Sequence, residues 1–201
     1  LPRGLKYVGD NAFWWDTNLA VVTFNADSCI EMCTGWQSDG HFYPVFIECN
    51  NITTIHIGEN VKNIPDFAFS YTPALHDTLV IPDSVVFIGE YAFYSWVENN
   101  PPLITLVLGR SVRAIVNYAF PGYYGRVPRV ISRNPIPPSL QLYTFRNMPD
   151  SSHATVPCGS LDAYRAKAYW NEFILEEDCT TGIDEAEVVD DPVHLYTLAG
   201  A

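Results

Sequence analysis

The chain is poor in several residue types that specify chemistry. It has only five cysteines and two methionines in 201 residues. Cys29, Cys33, Cys49, Cys158 and Cys179 form neither a C-x-x-C pair nor a Cys/His set at zinc spacing, so a metal site is not expected. The five histidines (His41, His56, His76, His153, His194) stand far apart and share no repeated carboxylate partner. No G-x-S-x-G elbow, H-E-x-x-H helix or Walker-type glycine loop is present, so the sequence nominates no catalytic residue, and neither enzyme activity nor a cofactor is expected. No apolar run approaches the roughly 18 to 20 residues of a membrane helix, which predicts no membrane insertion.

Basic charge is also scarce, with 11 Lys and Arg against 23 Asp and Glu, a formal net charge of -12. The excess is local. Residues 174–201 carry eight acids and no base, whereas residues 104–149 hold Arg110, Arg113, Arg126, Arg129, Arg133 and Arg146 and no acid at all. Six scattered arginines do not make the basic domain that nucleic acid needs, so nucleic acid is not an expected partner.

A repeat is what the chain does have. "VVFIGEYAF" (Val85–Phe93) and "VRAIVNYAF" (Val112–Phe120) agree at five positions, and "VKNIPDFAF" (Val61–Phe69) and "LKYVGDNAF" (Leu5–Phe13) extend the pattern. Aligned on the last residue, Phe13, Phe46, Phe69, Phe93, Phe120 and Phe145 are spaced by 33, 23, 24, 27 and 25 residues, a solenoid period. Most of these phenylalanines precede a strand signal: Leu19-x-x-Val22-x-Phe24, Ile52-x-x-Ile55-x-Ile57, then Leu79 and Ile81, and Leu103-x-x-Leu106-x-Leu108. Its alternation buries two side chains and turns the residue between them outward, here Thr23, His56, Val80 and Val107. Asp27, Asn60, Ser84 and Ser111 follow each strand by three residues, where short polar side chains bond their own turn backbone. Val61 and Ile64, Val85 and Ile88, and Val112 and Ile115 turn inward again, and the Ala-Phe step closes the coil. One coil cannot bury both apolar rows, but stacked coils bury them against one another.

These residues predict a β-rich solenoid of about six irregular coils of 23–33 residues. The L-x-x-L-x-L strands, "IPDSVVFIGEYAF" (Ile81–Phe93) and the period resemble the BspA-type leucine-rich repeats of bacterial surface proteins, although Ser84 and Ser111 stand where Asn or Cys is usual. "HATVPCGSLDAYRAKAYWNEF" (His153–Phe173) is similar to the capping segment that ends such arrays, giving a solenoid over 1–173 with its cap at 153–173. Independently of that likeness, Ser160 suits an N-cap, Asp162 places charge in the first turn, and Leu161, Tyr164 and Ala168 share a face. They predict a helix from about Leu161 to Trp170 over the open end. Cys158 and Cys179 bracket that helix and are the expected disulfide in an oxidising compartment, the other cysteines being read as buried thiols. Residues 174–201 read as an acidic linker. Their end, "PVHLYTLAGA", resembles the start of the C-terminal sorting domain of the Gram-negative type IX secretion route, which implies export to the cell surface.

Two recognition surfaces are expected. Trp14, Trp15, Tyr71, Tyr94, Trp96, Tyr123 and Tyr124 follow the coil-closing phenylalanines and predict an aromatic edge, unless the rings pack between coils instead. The strand face carrying Thr23, His56, Val80 and Val107 is the second. The resemblance implies adhesion, with a host or bacterial surface protein as partner. A glycan-binding module and a passive spacer are the alternatives.

Overall fold

A computed structural model describes residues 1–33, 43–72, 74–75, 77–95, 103–120, 129–145 and 148–180. Long and two-residue strands alternate along it: β1 (Tyr7–Val8), β2 (Val21–Phe24), β3 (Glu31–Met32), β4 (Thr54–Ile57), β5 (Asn63–Ile64), β6 (Asp77–Ile81), β7 (Phe87–Ile88), β8 (Leu103–Leu108), β9 (Ala114–Ile115) and β10 (Arg129–Ser132). The chain then forms β11 (His153–Pro157), the helix α1 (Leu161–Arg165), a 3-10 turn at Trp170–Glu172 and β12 (Ile174–Asp178). Every strand pair is parallel. The long strands form the pair β2-β4 and the sheet β12-β11-β10-β8-β6, and the short ones pair as β1-β3 and β5-β7-β9. This is a β-solenoid of about six turns, as the repeat predicts, and from β1 to β10 each turn contributes one strand to each side.

The strand alternation falls where the sequence places it. Val22 and Phe24, Ile55 and Ile57, Leu79 and Ile81, and Leu106 and Leu108 are buried, and Ile81 pairs with Leu108 in register. The inner row of short-strand residues, Val61, Ile64, Val85, Ile88, Val112 and Ile115, is fully buried. Between the two rows runs a single column of rings built from all six aligned phenylalanines. Phe13, Phe46, Phe69, Phe93, Phe120 and Phe145 stack with centroids 5.3, 6.2, 5.2, 5.4 and 5.4 Å apart and planes within 22° of parallel. Ala68, Ala92 and Ala119 beside them have no exposed surface, so there is no room for a larger residue.

Coils approach closely at the turns. A Cβ on Gly89 would lie 2.5 Å from the Asp66 amide nitrogen of the preceding coil, so only glycine permits that spacing. Two of the polar turn residues, Ser84 and Asp27, bond across coils. The Ser84 hydroxyl donates to the Val61 carbonyl at 2.7 Å, and Asp27 accepts from the Gly4 amide at 3.5 Å.

The C-terminal cap differs from expectation in three ways. The helix stops at Arg165 instead of Trp170. Tyr164 and Trp170 are both fully buried, six residues apart, and a continuous helix would put them roughly 120° apart around its axis. The backbone breaks instead, through a left-handed Tyr169 at φ 68°, and brings the two rings to 4.8 Å. Ser160 occupies the N-cap position without a side-chain bond, and Glu177 of β12 accepts from the Leu161 amide in its place (2.9 Å). Finally, the solenoid does not end at Phe173. Ile174–Asp178 pair with β11 residue by residue, and Cys158 is disulfide-bonded to Cys179 across a Cα separation of 4.6 Å. Because β12 has a neighbour on one side only, its mostly exposed Glu-Glu-Asp run is tolerated and makes a charged edge that resists further pairing. The segment resembling a sorting domain lies outside the described residues.

Replacing Phe93 by Ala removes a ring from the middle of the column and is expected to destabilise the fold by about 3–5 kcal/mol, read from urea unfolding. Replacing Cys158 and Cys179 by Ser should lower stability by about 3 kcal/mol. That loss should be concentrated in β11 and β12 amides when followed by hydrogen exchange.

Candidate binding surface

The outward residues of the sheet line up across strands. Val80 lies opposite Val107, Val107 opposite Ile131, Ile131 opposite Thr155, and Thr155 opposite Glu176. A second row runs Thr78, Thr105, Arg129, His153 and Ile174. On the N-terminal pair Thr23 faces His56, and both are exposed. The sequence expectation thus holds for Thr23, His56 and Val80, the last 44% exposed. It fails in part for Val107, which occupies an outward position yet retains only 7% exposure. A flanking valine and isoleucine on both neighbouring strands cover its sides. The result is an apolar stripe of Val80, Val107 and Ile131 at the centre of the face. At its C-terminal border His153 Nδ1 lies 3.2 Å from Glu176 Oε1.

Among the described residues, Trp14, Trp15, Tyr71 and Tyr94 of the expected aromatic edge do not form one exposed row. Trp14 and Trp15 are exposed (61% and 65%) and meet edge to face at 6.4 Å. Tyr71 is half-buried and lies 6.5 Å from Tyr94, which is itself buried. Tyr94 packs edge to face against Tyr91 and Tyr118, so it serves the stack and not the surface. Trp96, Tyr123 and Tyr124 lie outside the described residues.

A continuous aromatic column stands instead two residues before the last four closing phenylalanines. Phe67, Tyr91, Tyr118 and Tyr143 stack with centroids 5.2, 4.9 and 5.1 Å apart. Its signal was present in the repeat itself, as the recurring aromatic before Ala-Phe. Phe67, Tyr91 and Tyr118 have φ of 58°, 55° and 54°, a left-handed conformation that large side chains seldom adopt. That conformation turns their amides toward the next coil, where they donate to Glu90, Asn117 and Tyr143 carbonyls at 2.8, 3.3 and 3.0 Å. Side chains extend the ladder: Asp66 accepts from the Glu90 amide (2.7 Å), and Gln141 from the Asn117 amide (2.9 Å).

Electrostatics give no sign of a reactive centre at these positions. Burial pushes the Cys29 and Cys49 thiols up, which keeps both protonated and unreactive. Tyr164 is pushed up to about 12 by burial, partly countered by its hydrogen bond with Ser132. Among the described residues no three His, Cys, Asp or Glu side chains gather at a metal-binding spacing.

The Glu90 carboxyl is held above its ordinary value by partial burial and then by the Asp66 charge. A carboxyl raised in the folded state contributes stability below its unfolded pKa and loses it as pH rises through the folded value. Glu90→Gln is therefore expected to raise the melting temperature at pH 7 and to leave it unchanged near pH 3, as measured by thermal denaturation.

Comparison with known proteins agrees with this geometry. No curated protein matches the chain. The model of the BspA type leucine rich repeat region matches residues 43–172 in six copies, and the coil before it, from Leu5 to Phe13, continues the same phenylalanine column. Repeats of this class are typically binding scaffolds without catalysis. With more than half of its length matched and its coils stacked as the repeat requires, the chain belongs to the BspA-type leucine-rich repeat family.

Proposed function

We propose that this chain is a non-catalytic module of a secreted or surface-exposed protein and that it holds a partner protein, on host tissue or another cell, against the outward face of its sheet. One observation carries the reading: Val80, Val107 and Ile131 stand in register as an apolar stripe bordered by polar and charged residues. An apolar centre within a polar rim is the usual anatomy of a protein interface. Location outside the cell is supported by the family, which is commonly surface or secreted, and by the Cys158–Cys179 disulfide, a bond favoured in oxidising compartments. The sequence at 192–201, with its likeness to a sorting segment, points the same way.

A second reading has an observation of its own. Trp14 and Trp15 present two exposed indoles side by side, which suits a sugar ring, and a glycan array tests it. Glycan binding abolished by Trp14→Ala and Trp15→Ala would favour this reading over the first.

For the leading reading, Val80→Glu and Ile131→Glu are expected to weaken capture of immobilised extracellular-matrix proteins or target cells by tenfold or more, about the effect of losing a buried anchor. Circular dichroism and melting temperature should be unchanged, because both side chains lie on the outer face. Undiminished capture by both variants would reject the face as the binding surface.

A further inference from the structure

The two parts of the C-terminal cap are held by different means. Trp170 and Phe173 are buried against Phe145, the last ring of the phenylalanine column, and Tyr164 is buried against Trp170. The strand that follows has no such anchor. β12 pairs with β11 alone, and each of its five side chains is exposed or half-buried, so it adds little to the core. Beyond the backbone ladder, its ties include the Glu177 carboxylate on the Leu161 amide (2.9 Å), the contact of Glu176 Oε1 with His153 Nδ1 (3.2 Å), and the Cys158–Cys179 disulfide. Cys158 directly follows β11 and Cys179 directly follows β12, so the bond fastens the two strands at the same end. Both of these cysteines are exposed, whereas Cys29, Cys33 and Cys49 are buried free thiols.

We propose that Cys158–Cys179 is a thiol-exchange site, open to small dithiols while the solenoid stays folded, and that its reduction releases β12 and uncovers the edge of β11. This goes beyond the binding-module reading and does not depend on it. One thiolate of the dithiol attacks a sulfur of the bridge, forming a mixed disulfide and expelling the other cysteine as a thiolate, which takes a proton from water. The second thiol of the reagent then displaces the protein sulfur. The protein gains two thiols, and the dithiol, oxidised by two electrons, leaves as a cyclic disulfide. Attack needs access to sulfur, which an exposed bridge offers and a core does not. Release is local because an edge strand with one ladder and few buried apolar contacts opens at low free energy, while Tyr164, Trp170 and Phe173 keep the cap seated. β11 retains its pairing with β10. The effect reaches the outward face, where Ile174 and Glu176 stand opposite His153 and Thr155, so that this border of the face exists only in the oxidised chain.

The test treats the full oxidised chain with millimolar dithiothreitol in native buffer, counts the new thiols with a maleimide polymer, and follows amide exchange by mass spectrometry. Cys158 and Cys179 are expected to take the label, and Cys29, Cys33 and Cys49 to take it only after denaturant is added. The amides of β12 should exchange about tenfold or more faster after reduction, with those of β6, β8 and β10 unchanged. A Cys158→Ser/Cys179→Ser variant should show the same fast exchange in β12 without any dithiol, which separates release of the strand from an effect of the reagent. A bridge that resists dithiothreitol until the chain is denatured, a reduced chain whose β12 stays protected, or labelling of all five cysteines together would each overturn the proposal.

Discussion

Everything in this molecule depends on one coil lying against the next. A single coil has two rims of apolar side chains and a flat phenylalanine with two faces, and alone it can bury only part of either. Stacking removes both rims from water at once and gives each ring a neighbour on each side. The offset-parallel contacts contribute about 0.5–1.5 kcal/mol apiece beyond the area they bury. Because each turn touches chiefly its neighbours, stability accumulates along one dimension, and a defect in the middle weakens two interfaces together.

The same constraint explains the strained turns. A left-handed phenylalanine or tyrosine is unfavourable on its own, yet Phe67, Tyr91 and Tyr118 adopt it in successive coils. Each such residue gains an inter-coil hydrogen bond from its amide and a stacked ring on either side or on one. Neither reward exists for an isolated turn, so the conformation is stable only within the stack. Core and turn positions are thereby committed to stacking, and the outward strand positions are left to carry recognition.

The repeat made the core legible because its signal is periodic and needs no tertiary knowledge. The six phenylalanines, the inward strand residues and the Cys158–Cys179 pairing all follow from spacing. What could not be read was how far an outward position is covered by its neighbours. Val107 and Val80 have the same place in the repeat, but Val107 sits between two occupied strands and is shielded. For Tyr94, packing between coils, the alternative to an exposed edge, prevails for a related reason. Tyr94 is buried because Tyr91 and Tyr118 converge on it, and only the coil spacing reveals that. Strand β12 was hidden because it is an edge: with one neighbour, Glu176 and Glu177 need no apolar alternation, and the sequence there resembles a linker.

That edge strand matters for recognition as well as for closure. In a one-dimensional array the last element has the fewest contacts and would fray first. Here it is tied by the Cys158–Cys179 bond, by Glu177 on the start of α1, and by the buried Tyr164, whose hydroxyl donates to the Asn134 carbonyl at 2.7 Å. Trp170 adds a bond from its indole to the Pro138 carbonyl at 2.8 Å. The Tyr164 and Trp170 bonds converge on the segment from Ser132 to Pro138. The capping apparatus therefore stiffens the end of β10 and the segment that follows it. A side chain held on a rigid support forfeits less entropy when it meets a ligand, so the contacts that close the solenoid also stiffen its outward face.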